Sequence, residues 1–132
     1  MSEPLQGQVY VSIIKTRADI QDMLVTAVDY GRYEWFMKRS YFGKDGYPFE
    51  DEVVNAQPAN TPVMRVTAWD GTEDGPGEPA TKDITIEMAV TALGLLFTQH
   101  PRIHQNLVTG FYDLNDADAL MQVIFYGKVV YG

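Results

Sequence analysis

Apolar residues recur along the early chain as Ile20, Met23, Leu24, Ala27 and Val28, the three-and-four spacing that lines one face of an α-helix. Thr16 stands before this stripe as an N-cap, Asp19 lies three residues on in a near capping-box position, and Gly31 is the stop. Upstream, residues 8–14 have the composition of a strand, with Val9, Val11 and Ile13 on one face. Downstream, residues 33–42 are β-prone and aromatic, which predicts an antiparallel strand. Tyr33, Trp35 and Met37 would share one side of it and Glu34, Phe36 and Lys38 the other, with Trp35 and Phe36 in the core. Residues 62–69 read as a further strand, and residues 82–85 pair back on it across a long acidic tip.

Thr85 then caps a helix whose core-facing residues are expected to be Ile86, Ala89, Val90, Leu93, Leu96 and Phe97. Gly94 inside it costs about 1 kcal/mol relative to alanine and suits a close packing contact. Pro101 opens a short helix that buries Ile103 and Leu107, and Gly110 ends it. The last nineteen residues predict a capped helix with Asn115 as N-cap, Asp116 and Asp118 at the positive end of its dipole, and Leu114 and Ala119 as a small staple. From Leu120 to Tyr126 only Gln122 is polar, the pattern of a helix packed on more than one side. Gly127 is the stop, and residues 128–131 are expected to add a short strand to a sheet edge.

The pattern Asp116-Ala117-Asp118, Gln122, Tyr126-Gly127, Val129-Val130-Tyr131-Gly132 resembles the end of a group of small acidic proteins of uncharacterised function encoded by tailed bacteriophages. The resemblance extends more weakly to the early helix leading into Tyr33-Glu34-Trp35-Phe36 and to the passage from Thr81 to Glu87. It covers about half the chain, and only the terminal motif is specific. A long insert-like region after Tyr41 departs from it. The resemblance implies a phage origin and one compact domain, and it supplies no catalytic residues.

Taken together, these elements predict an α+β fold: a mainly antiparallel sheet of about four strands with three or four helices packed on one face. Residues 1–132 are expected to form a single globular domain with long acidic loops near 43–61 and 71–80. A hydrophobic content of 45% with 21% charged residues is ordinary for a globular chain. The absence of cysteine excludes disulfides, zinc–thiolate sites and thiol catalysis. No apolar run approaches the length of a membrane span and no secretory signal opens the chain. A soluble protein of the host cytoplasm is therefore expected. Apolar terminal elements and an edge strand also suit a homodimer.

Charge narrows the partners. The formal net charge is −8, and residues 43–87 hold ten acids against three bases, a local net of −7. Direct binding to a nucleic-acid backbone needs clustered Lys and Arg and is disfavoured. A protein with a basic surface is the better electrostatic match.

Candidate chemistry is sparse. His100 and His104 have a helical metal spacing, but Pro101 follows the first and no H-E-x-x-H pattern is present, so they read as surface or capping residues. Asp70 to Thr81 lacks the ligands of a calcium loop. Glu50, Asp51 and Glu52 have no evident apolar neighbour to tune them for acid–base work. No phosphate-binding, dinucleotide or nucleophile-elbow motif occurs, and Ser2, Ser12 and Ser40 have no associated histidine in sequence. No cofactor or metal is expected.

The leading expectation is a non-enzymatic phage accessory protein that binds and modulates a host protein, one acting on nucleic acid or in antiviral defence. Its contact residues would be Glu50, Asp51, Glu52, Glu73 and Asp74 with the aromatic anchors Tyr47 and Phe49. The alternative is a binder of a small molecule such as a nucleotide signal, using Arg32, Lys38, Arg39 and Arg65 beside Tyr33 or Trp35. A structural or assembly role in the virion is a third.

Overall fold

Thr16 Oγ1 accepts a hydrogen bond from Asp19 N, and an Asp19 carboxylate oxygen accepts one from Thr16 N, both at 3.1 Å. This capping box starts helix α1, Arg17–Thr26. Its apolar stripe is buried along its whole length, from Ile20 to Val28. The last two stripe positions lie on a π-helical turn, Ala27–Gly31. The computed structural model describes residues 16–31, 35–69 and 78–131. The strand expected over residues 8–14 lies outside them.

Among the described residues, three antiparallel strands form one sheet in the order β1 (Phe36–Tyr41), β2 (Pro62–Trp69) and β3 (Pro79–Thr85). Met64, Val66, Ala68 and Ile84 are buried, while Arg65, Ser40 and Asp83 lie side by side in the register and are exposed. One face of the sheet lies on the core, and the other is partly covered as well, since Val63 and Thr67 on the side of Arg65 are also buried. The register shifts between Phe36 and Lys38, and an extra residue in one strand breaks the period of two. Met37 is consequently exposed to 43% while Trp35 is buried, so the expected sharing of one side by these two residues does not hold.

Five α-helices occur among the described residues, more than the three or four expected, and with the sheet they make an α+β fold. Residues 43–61 account for one of the extra helices: instead of one open loop they contain a 3₁₀ turn, Lys44–Gly46, and helix α2, Asp51–Ala56. Helix α3, Ile86–Gln99, follows β3 directly with Thr85 Oγ1 accepting from Met88 N at 3.1 Å. Helix α4, Pro101–Thr109, ends at Gly110, whose φ of 83° is a conformation glycine adopts freely. Helix α5, Leu114–Tyr126, packs against α1, its π-helical turn, α3 and α4.

Two expectations about α3 fail. Val90 and Phe97 are exposed to 51% and 61%, and Ala92 is buried instead. Gly94 packs against nothing, since a Cβ built there meets no atom within 4 Å.

Two expectations about α5 fail as well. Its N-cap is Asp113, which exchanges hydrogen bonds of 2.9 and 3.1 Å with Asp116 in a second capping box, rather than Asn115. The box places Leu114 at the first helical position, where it is 42% exposed and cannot staple the turn. Replacing Asp113 by alanine removes the side-chain acceptor of the Asp116 N–H, leaving only the bond from Asp113 N to the Asp116 carboxylate, and is expected to lower stability by about 1 kcal/mol in a denaturant titration.

Residues 128–131 do not form a strand. Their backbone is bound by one side chain. Gln122 Oε1 accepts from Val130 N at 2.8 Å and Tyr131 N at 2.7 Å, and Gln122 Nε2 donates to Tyr131 O at 3.0 Å. The same Nε2 donates to Asp118 at 2.6 Å, and Asp118 also accepts from Trp35 Nε1 at 2.8 Å. Every donor and acceptor of the buried amide is thereby used, as its burial demands.

Candidate partner-binding surface

Gln21 is the polar residue inside the apolar face of α1, and it is buried. Its Nε2 donates to Phe49 O at 2.9 Å and its Oε1 accepts from Phe49 N at 3.2 Å. The amide thus stands in for a neighbouring strand and ties the 43–50 segment to α1. Asn55 does the same for α2: its Oδ1 accepts from Ala18 N at 2.8 Å, and its carbonyl accepts from Arg17 at 2.9 Å. Val54 is buried beneath. At the head of the segment, a Cβ on Gly43 would lie 2.2 Å from Tyr47 O. Only glycine lets the turn fold that closely on itself.

This docking fixes where the acids stand. Glu50 is the N-cap position of α2, and Asp51 and Glu52 occupy its first turn, where negative charge is favoured by the free N–H groups. All three are exposed. Tyr47 is 70% exposed, and Phe49 packs partly on the core. Lys44, Tyr47, Phe49, Glu50 and Val53 line a concavity of about 560 Å³.

Docking α2 on α1 also brings together charges that are distant in sequence. The Asp22 carboxyl is pushed above its ordinary value by partial burial and then by the charges of Asp51 and Asp19. A carboxylate whose folded pKa is raised contributes stability below its unfolded value of 3.8, and that contribution is lost as pH rises through the folded value. Asp22→Asn is therefore expected to raise the melting temperature slightly at about pH 7 and to leave it unchanged at about pH 3. Calorimetry at the two pH values checks it. Because Asp22 is largely exposed, solvent screening keeps the gain small.

Glu50, Asp51, Glu52, Tyr47 and Phe49 are thus brought onto one surface, whereas Glu73 and Asp74 lie outside the described residues. Asp19 and Asp22 join the surface without having been singled out. Their place on the polar side of α1 was readable, but their proximity to Asp51 depends on the Gln21 and Asn55 contacts.

The alternative small-molecule set is dispersed where it is described. Arg32 and Tyr33 lie outside the described residues. Trp35 is in the core, bonded to Asp118. Arg39 pairs with Asp29 at 2.9 Å and lies over the Tyr41 ring. Lys38 and Arg65 belong to the opposite side of the sheet by register, with Arg65 bonded to Asp83 at 2.7 and 3.2 Å.

His100 joins α3 to α4, and the His104 ring stacks edge-on against Phe97 at 5.1 Å. Burial there lowers the His104 pKa. Among the described residues no group of three or more His, Asp or Glu is placed to hold a metal, and no helix is long and apolar enough to cross a membrane. Comparison with protein-family models, with curated proteins and with solved structures returns no match.

Proposed function

We propose that this chain is a non-enzymatic binding protein that docks a partner's basic surface against α2, the 43–50 segment and the acidic side of α1. The observation that carries the reading is the convergence of Asp19, Asp22 and Asp51 from two separate elements, beside exposed Tyr47 and a concavity. Carboxylates held against one another gain when a cationic surface approaches, and exposed aromatics supply anchors. The resemblance of residues 116–132 to small acidic phage proteins supports a host protein as the partner, bound in the host cytoplasm and acting on nucleic acid or in antiviral defence.

Affinity capture from bacterial lysate at two salt concentrations, read by mass spectrometry, tests this. One enriched basic protein that is lost at the higher salt is expected. An enriched set that is insensitive to salt and dominated by acidic proteins would contradict the proposal.

A further inference from the structure

Asp118 is a buried carboxylate whose two oxygens both accept: Oδ1 from Trp35 Nε1 at 2.8 Å and Oδ2 from Gln122 Nε2 at 2.6 Å. The ionised group satisfies both contacts with acceptor oxygens, whereas a proton on Oδ2 turned toward Gln122 Nε2 would set donor against donor. Gln122 is the hinge of the arrangement. With Nε2 committed to Asp118, its Oε1 is the atom left facing Val130 N and Tyr131 N.

We propose that Asp118 is a proton-operated latch: its carboxylate fixes the orientation of the Gln122 amide that binds residues 130 and 131, and adding a proton releases them. A proton on Oδ2 faces the Gln122 NH₂ group, and rotating the amide by half a turn relieves the conflict by turning Oε1 to accept it. The same rotation sets Nε2 against Val130 N and Tyr131 N, and Oε1 against Tyr131 O. All three contacts to the segment 128–131 are lost in one move. The segment makes its remaining contacts through partly buried Val129 and Tyr131, the latter's ring 5.9 Å from that of Tyr126.

Of the described titratable groups on elements packed around α5, Lys82 of β3 donates to the Ile124 and Phe125 carbonyls at 3.2 and 3.4 Å, Arg17 donates to Asn55 O, Asp29 is paired with Arg39 and His104 is stacked on Phe97. Asp116 is engaged in its capping box and with Asn106. Asp22, Glu87, Arg102 and Lys128 are exposed, and Asp19 serves the cap of α1. The influences on the Asp118 carboxyl are burial, which raises its pKa, and then Gln122 and Trp35, which lower it. With the net direction upward, protonation of Asp118 favours the folded core over the unfolded chain, and that contribution is lost as pH rises through the folded value.

The test follows the amides of Val130 and Tyr131 by NMR during an acid titration, together with the Asp118 carboxyl carbon. The result expected is a shared midpoint, while the Asp116 amide in the capping box and the amides of β2 keep their native shifts. Asp118→Asn at neutral pH provides a second arm, since its single acceptor oxygen cannot occupy the positions facing both Trp35 Nε1 and Gln122 Nε2. There the Val130 and Tyr131 amides are expected to exchange at least about tenfold faster than in the parent chain, an opening made easier by about 1.4 kcal/mol. Titration of Asp118 with both amides unmoved, native exchange in Asp118→Asn, or loss of the core together with the segment in either arm would overturn the proposal.

Discussion

Trp35→Ala is expected to remove about 3–5 kcal/mol of folding stability, the cost of emptying a fully packed aromatic site. Trp35 is buried and touches the rings of Phe36, Phe125 and Tyr126 at centroid distances of 6.2, 6.0 and 6.0 Å. It joins β1 to α5 through its indole N–H on Asp118, and its carbonyl accepts from Trp69 N at 3.0 Å. Loss of the side chain therefore creates a cavity and removes one of two donors from a buried carboxylate. Trp35→Phe separates the two effects. It keeps most of the packing, withdraws the donor, and is expected to cost about 1–3 kcal/mol. Urea unfolding of both variants gives the comparison, and a Trp35→Phe variant as stable as the parent chain would mean that the indole hydrogen bond contributes nothing.

Reversing Glu50, Asp51 and Glu52 to lysine is expected to weaken binding of a Lys- and Arg-rich peptide probe by about tenfold or more at low salt. The difference should shrink as salt screens the exposed charges. Because any strongly acidic chain attracts cations, the control is a variant with the same change in net charge placed elsewhere, at Glu78, Asp83 and Glu87. That control is expected to weaken the probe far less, since its reversed charges lie on β3, α3 and the residue before β3. Calorimetric titration of the three proteins measures it. Equal weakening by both variants would reduce the acidic surface to bulk charge.

Much of the fold could be read from the chain because local signals agreed with tertiary ones. The α1 stripe, its Thr16–Asp19 box and the Thr85 cap each follow from residues within a turn or two of one another. The phase of α3 could not be read. Ile86 to Phe97 is apolar around most of the helix, so periodicity does not say which stripe faces outward, and Val90 and Phe97 were placed on the wrong side. Asp113 and Asn115 are both good caps with an acid three positions on, Asp116 and Asp118, and the choice is made by tertiary contacts: Asp118 is taken by Trp35 and Gln122, leaving Asp116 to complete the box with Asp113. Helix α2 was hidden for a different reason. Six residues are too few to be helical alone, and their order comes from Gln21 and Asn55, whose partners lie 28 and 37 residues away. The candidate surface shares that limit: its acids were visible as a run, but their meeting with Asp22 was not. Likewise, a lone Gln122 in an apolar helix gives no hint that it binds a chain segment in place of a sheet.

The proposed surface is tested most directly by a hydrogen–deuterium exchange footprint of this chain with its captured partner bound. Protection is predicted for residues 44–53 and for the exposed side of residues 17–22, with α3 unchanged. Protection that falls on α3 and leaves residues 44–53 exchanging as in the free chain would contradict it.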